Sequence, residues 1–151
     1  PHLPRDAARH LIGPIQSNKA NKAARLADVV HAVDSADVAR RLARAAGSEG
    51  RRLAAYVEVN TGGEETKAGV APADVPALVE SVRALPELDL RGLMAIPPPG
   101  DTRPHFVLLR GLAESLGLAG LSMGMSDDFE AAIEEGATVV RVGTALFGRR
   151  A

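Results

Sequence analysis

Short apolar runs alternate with longer amphipathic segments along the chain. Six runs of four to eight residues are rich in Leu, Val, Ile and Ala, and they occupy residues 10–13, 29–33, 53–60, 90–96, 120–123 and 138–142. Several of the intervening segments show the 3.6-residue spacing of helices that bury one face. This alternation predicts about six β-α units arranged around a parallel sheet.

Start and stop signals define two of the predicted helices. Ser35 is placed to cap a helix that runs through Ala46 and ends at Gly47. Pro72 opens another helix, and Pro86 prevents that helix from continuing further. The proline-rich residues 97–104 read as a stiff loop, so residues 1–151 are predicted to form one domain.

Composition excludes several classes of function. The net charge is −1 and the basic residues are scattered, which disfavours nucleic-acid binding. No apolar run is long enough to span a membrane and no secretory signal stands at the N-terminus, so we expect a soluble, cytoplasmic protein. The chain has no cysteine, and no HxH or HExxH spacing, so we predict no metal site.

Small and polar residues follow most of the predicted strands. The segments are GPIQSNK, NTGGEETKAG, AIPPPG, SMGMSDD and VGTALFG. In parallel α/β folds the carboxyl ends of the strands meet at one edge, where the following backbone amides are available to ligands. These loops therefore predict a binding face.

The segment SMGMSDDFEAAIEEG carries two interpretations. Ser126 stands at an N-cap position, Asp127 and Asp128 fall in the first helical turn, and Gly136 closes the helix, which by itself predicts only a well-capped helix. The later segment VRVGTALFG favours a functional interpretation, because a second loop is then available to hold a phosphate dianion together with Ser126.

Three residues of VRVGTALFG are candidates for ligand contact. Gly143 permits close approach of the backbone, and Thr144 offers an amide and a hydroxyl. Arg141 shares a strand face with Gly143, so its guanidinium can reach the strand end where a ligand would lie. A surface arginine in an ion pair is the alternative for Arg141.

Taken together, these segments resemble a known family. HLIGPIQSNKANK, VEVNTGGEETKAG, LRGLMAIP and LSMGMSDDFEAAIEEGATVVRVGTALFG are similar to the pyridoxal phosphate homeostasis proteins, relatives of the N-terminal barrel of alanine racemase. The resemblance implies a TIM-type (β/α)8 barrel, here incomplete, with pyridoxal 5'-phosphate (PLP) at its carboxyl-end mouth. It also implies that Ser126 and the amides of Gly143 and Thr144 contact the phosphate, and that Arg141 faces the pyridine nitrogen.

The chain departs from the family pattern at its beginning. Its first block resembles the third strand of the family barrel, so we expect the first two β-α units to be missing, together with the lysine that forms the Schiff base. Either the sequence is a fragment or it is a naturally truncated protein without this anchor. Lys67 is the one substitute amine considered, although a solvated loop lysine is the favoured interpretation.

Other strand-end residues are weaker candidates. Asn18, Asn60 and Met94 end family-like strands and are considered for the mouth of the barrel, with a structural role in the loops as the alternative. His10 and His31 lie in predicted strands, and the favoured interpretation is that their ring nitrogens are satisfied within the barrel.

The resemblance implies a non-catalytic PLP-binding protein that keeps PLP (vitamin B6) and amino-acid pools balanced. The implied partners are PLP itself and PLP-dependent apo-enzymes, and the implied state is a monomer. Two alternatives are a fold-type-III racemase or decarboxylase, and a module with a vestigial cofactor site that acts through protein contacts.

Overall fold

Six parallel strands form one curved sheet. A computed structural model describes residues 6–64 and 66–148. The strands are β1 (His10–Leu11), β2 (Val29–Val33), β3 (Leu53–Glu58), β4 (Leu88–Met94), β5 (Gly120–Met125) and β6 (Val139–Arg141). They pair in chain order, β1 to β6, and every pairing is parallel. The predicted parallel sheet of six β-α units is confirmed.

A helix follows each strand. The helices are α1 (Ala20–Leu26), α2 (Ala36–Ser48), α3 (Val75–Arg83), α4 (Arg103–Ser115), α5 (Phe129–Glu134) and α6 (Thr144–Phe147). Short 3-10 turns, Ser17–Lys19 and Pro72–Asp74, lead into α1 and α3. This order gives the strand-helix repeat of a (β/α) barrel, in which the loops after the strands share one edge of the sheet.

The boundaries of α2 confirm one sequence signal and contradict another. The side chain of Ser35 caps the helix by accepting a hydrogen bond from the Val38 amide at 3.4 Å. The helix does not end at Gly47, because that residue keeps a helical backbone and α2 continues through Ser48. Gly50, with φ +64°, supplies the left-handed residue that follows the helix.

Prolines define the beginnings of two other helices. Pro72 opens the 3-10 turn rather than the α-helix itself, and α3 ends before Pro86, as predicted. The loop predicted over residues 97–104 is shorter than expected, because α4 begins at Arg103. Pro104 is accommodated in the first turn of α4, where its missing N–H breaks no helical hydrogen bond.

Contacts across the sheet demonstrate its curvature. In a flat sheet β2 and β5 would lie about 14 Å apart, because neighbouring strands are spaced by about 4.8 Å. Instead His31 of β2 lies within 2.8 Å of the Ser122 hydroxyl of β5. The sheet is therefore curled into part of a barrel, which agrees with the expected incomplete (β/α) barrel.

The two faces of the sheet bury different side chains. The outer face packs against the helices through an apolar core to which Leu53, Val57 and Phe106 contribute. Along β3, Tyr56 points to the opposite face from Leu53 and Val57 and lies on the inner face, where its ring stacks on His31 at a centroid distance of 4.6 Å. Close packing beneath this ring requires glycine, because a Cβ on Gly120 would lie 2.9 Å from Tyr56 Cε1.

Candidate functional site

The residues predicted to bind a phosphate meet in one cavity at the carboxyl ends of the strands. This strand-end cavity has a volume of about 580 Å³. Its walls come from the two outermost strands of the sheet, β1 and β6, and from β2, the end of β5 and the loops that follow. The lining residues are His10, Ile12, His31, Met125, Ser126, Val139, Val140, Arg141, Val142, Gly143 and Thr144.

Ser126 does not cap the helix that follows it. Helix α5 begins at Phe129, so Asp127 and Asp128 precede the first turn instead of lying in it. Asp128 occupies the N-cap position, and its carboxylate accepts a hydrogen bond from the Met125 amide at 2.7 Å. Two residues therefore separate Ser126 from the helix, and its hydroxyl is left for another partner.

That partner is the loop after β6. The Ser126 Oγ accepts hydrogen bonds from the Gly143 amide at 3.3 Å and the Ala145 amide at 3.2 Å. The sequence predicted Gly143 and Thr144 as amide donors but missed Ala145. Convergent amides beside a hydroxyl are a donor set suited to the oxygens of a phosphate. The two loops thus meet as the sequence predicts, although through a contact that the sequence does not specify.

Arg141 extends along the wall of the cavity rather than into a surface ion pair. It is half-buried, and its Nη1 donates to Ser122 Oγ at 2.7 Å while its Nη2 donates to the Ala95 carbonyl at 2.9 Å. Burial lowers the pKa of Arg141, whereas the carboxylates of Asp128 and Glu58 raise it. An arginine remains charged under such conditions, so it contributes a fixed cation to the cavity.

Two histidines of the cavity were not predicted as site residues. His31 is fully buried, and both of its ring nitrogens have partners, Ser122 Oγ and His10 Nδ1, each at 2.8 Å. This satisfied arrangement agrees with the interpretation drawn from the sequence. The strand pattern could not show that both rings also line the cavity, since this depends on the curl of the sheet.

The remaining strand-end candidates lie outside the cavity lining. Lys67 is exposed in the loop after β3 and forms an ion pair with Glu64. Asn60 stabilises that loop through hydrogen bonds to the Glu64 carbonyl and the Gly63 amide. Asn18 is exposed, and Met94 is buried at the end of β4.

A second, larger hollow of about 640 Å³ lies between β1 and α1. Lys19 and Lys22, predicted to form a solvated face, line it and are exposed. It contains none of the four residues predicted to bind the phosphate and ring nitrogen. The candidate site is therefore the strand-end cavity, where polar donors and a half-buried cation converge.

Two other kinds of feature are absent from residues 6–64 and 66–148. Within these ranges no group of three or more His, Asp or Glu side chains is arranged to hold a metal ion. The same part of the chain contains no helix with the length and apolar character needed to cross a membrane.

Comparison with known proteins identifies the family. The profile of the family described as alanine racemase, N-terminal domain, matches residues 4–151. The pyridoxal phosphate homeostasis protein of Aquifex aeolicus is 43% identical over 155 residues, which cover 96% of this chain and 68% of that relative. The chain belongs to the pyridoxal phosphate homeostasis protein family. The resemblance found in its sequence motifs is thereby confirmed.

Other members of the pyridoxal phosphate homeostasis family show how much of the whole protein is covered. The Pseudomonas aeruginosa homeostasis protein is 52% identical over 147 residues, and the alignment covers 93% of this chain and 64% of that relative. The chain therefore spans a little less than two thirds of the length of that relative. PipY of Synechococcus elongatus, solved with PLP bound, is 42% identical with a TM-score of 0.88, covering 97% of this chain and 72% of PipY.

A more distant structure supports the fold alone. Alanine racemase of Clostridium difficile 630 superposes with a TM-score of 0.74 at 18% identity, over 93% of this chain and 39% of the racemase. The barrel is therefore shared between homeostasis proteins and a racemase, so the fold does not by itself decide the chemistry.

Proposed function

We propose that the strand-end cavity binds PLP and that the chain serves PLP and amino-acid homeostasis without catalysing a reaction of its own. The observation that carries this proposal is the meeting of Ser126, the amides of the loop after β6, and Arg141 in one cavity. The PLP-bound structure of PipY, a relative at 42% identity, supports the same ligand.

The chemistry of the donor set fits PLP. The Ser126 hydroxyl and the amides of Gly143 and Thr144 would hold the phosphate, since N–H and O–H donors satisfy its oxygens. Arg141 would face the pyridine nitrogen. Bound PLP supplies an aldehyde that reacts reversibly with amines.

The charge of Arg141 suits a carrier better than a transaminase. A permanent cation beside the ring nitrogen disfavours its protonation, and an unprotonated ring is a poorer electron sink. The named relatives are homeostasis proteins, which agrees with a role in holding the cofactor. The proposal includes delivery of PLP to apo-enzymes by a cytoplasmic monomer.

Titration of the chain with PLP tests the proposal. Binding is followed by absorbance and equilibrium dialysis for the wild type, Ser126→Ala and the control Ser115→Ala. Ser115 is a suitable control because, among the described residues, its exposed hydroxyl donates only to the Leu112 carbonyl. A hydrogen bond to a charged group contributes about 1.5–3 kcal/mol. We therefore expect Ser126→Ala to weaken binding by about ten- to a hundredfold, and Ser115→Ala to leave it unchanged.

Two results would contradict the proposal. One is wild-type affinity in Ser126→Ala, which would place the phosphate elsewhere. The other is racemisation of alanine by the PLP-loaded wild-type chain clearly above that of free PLP, which would favour the enzyme alternative. Mass measurement after borohydride reduction shows in addition whether any lysine, including Lys67, becomes attached to the cofactor.

A further inference from the structure

An unbroken line of polar side chains crosses the interior of the curled sheet from β6 to β1. Arg141 Nη1 lies 2.7 Å from Ser122 Oγ, which lies 2.8 Å from His31 Nδ1. His31 Nε2 in turn lies 2.8 Å from His10 Nδ1. Ser122 and His31 are both fully buried, so the contact between them is shielded from water.

Satisfying every donor in this line favours one direction for each hydrogen bond. Arginine can only donate, so Ser122 Oγ accepts from Arg141. The Ser122 hydroxyl proton then has one acceptor among the described residues, which is His31 Nδ1. A neutral imidazole that accepts at Nδ1 carries its proton on Nε2, and this proton is donated to His10 Nδ1.

The surroundings of His31 favour this single arrangement. Burial lowers the pKa of His31 to about 4, and a positive charge on a neighbouring group lowers it further, so its ring is neutral at pH 7. The Tyr56 ring stacks on it with an interplanar angle of 5°, which restricts rotation of the imidazole. A neutral, fixed ring can transmit a hydrogen-bond direction from one neighbour to the next.

We propose that Ser122 and His31 are positioning residues: they hold the Arg141 guanidinium at the wall of the strand-end cavity and impose one tautomer on His10, with its proton on Nε2. The Ala95 carbonyl provides the second anchor of the guanidinium. The cavity is thereby lined by donors of fixed orientation, which suits an acceptor-rich aromatic ligand. The expected effect on ligand binding rests on the proposed PLP function, whereas the expected histidine tautomers do not depend on it.

Ring-nitrogen NMR on the ¹⁵N-histidine-labelled chain tests the tautomers directly. At pH 7.5 we expect His31 to be protonated at Nε2 only, with its signals assigned by their loss in His31→Gln. In Ser122→Ala the Nδ1 atom loses its donor, so we expect a mixture of tautomers. The control Ser115→Ala should give the wild-type spectrum. A proton on Nδ1 in the wild type, or an unchanged spectrum in Ser122→Ala, would overturn the proposal.

Titration with PLP tests the consequence for binding. We expect Ser122→Ala to bind PLP about tenfold more weakly, as for the loss of one hydrogen bond to a charged group. Wild-type affinity in Ser122→Ala would overturn the positioning role even if the tautomers are as described. If the wild-type chain fails to bind PLP but shows the expected His31 tautomer, the proposed function fails and the hydrogen-bond line stands.

Discussion

Glu58, at the end of β3, is a buried acid whose ionisation should destabilise the fold. Its side chain is only 5% exposed, and its Oε2 has no hydrogen-bond partner among the described residues. Burial and the nearby charge of Asp34 raise the pKa of Glu58 to about 7, although the charge of Arg141 opposes this. The folded chain therefore holds this proton more tightly than the unfolded chain does.

The size of the effect follows from the two pKa values. The stability contributed by protonated Glu58 is fully present below its ordinary pKa of 4.5 and is lost as the pH rises through about 7. This interval corresponds to about 3 kcal/mol. Glu58→Gln has the same shape and cannot ionise, so its stability relative to the wild type should rise by about 3 kcal/mol between pH 4.5 and pH 8.5.

Urea unfolding followed by circular dichroism at several pH values measures this difference. The glutamine amide forms hydrogen bonds of its own, but their contribution to stability does not change with pH. The test is therefore how the stability difference between Glu58→Gln and the wild type changes with pH. His31 acts in the opposite sense, because its lowered pKa removes stability as the pH falls from 6.5 towards 4. That effect is common to both proteins and cancels. The control is Glu130→Gln, at an exposed position. A stability difference between Glu58→Gln and the wild type that stays constant with pH would refute the reasoning.

Two further substitutions test the packing of the barrel. Gly92→Ala places a Cβ 1.9 Å from the Gly120 carbonyl oxygen. We therefore expect the variant to lose the folded state, as measured by circular dichroism. A variant that unfolds like the wild type would contradict the register of β4 and β5. Glu135 is 9% exposed and accepts hydrogen bonds from two arginines of α4. We expect Glu135→Ala to lower the free energy of unfolding by about 2 kcal/mol in urea, and an unchanged midpoint would show that this link between α4 and α5 contributes nothing.

The strands could be predicted from the sequence because their apolar runs are local. All six lie within two residues of the predicted positions at their first residue, and β2 has the predicted bounds of residues 29–33. Helix ends were harder, since Gly47 can remain helical while Gly50 provides the left-handed turn. Local residue types indicate where an element can end, but packing decides between neighbouring candidates.

The candidate site was predictable in its members but not in its contacts. Ser126 and Arg141 were named from their motifs, and both line the same cavity. The amides that bind Ser126 belong to residues 17 and 19 positions away, and the Ser122 hydroxyl lies 91 positions from His31. Such partners depend on the curl of the whole sheet, which no local pattern specifies. The one signal for these interior hydrogen bonds in the sequence was His31, a polar residue within an apolar strand.

The same residues set the curvature of the sheet and the geometry of the cavity. Gly120 leaves room for the Tyr56 ring, and this ring stacks on His31. His31 contacts His10 of the edge strand β1 directly, and it reaches Arg141 of the other edge strand, β6, through Ser122. The strands β1 and β6 lie at opposite ends of the strand order, yet both reach the cavity through this inner layer. A change in curl must therefore alter these hydrogen bonds, so the His31 ring reports on fold and site together.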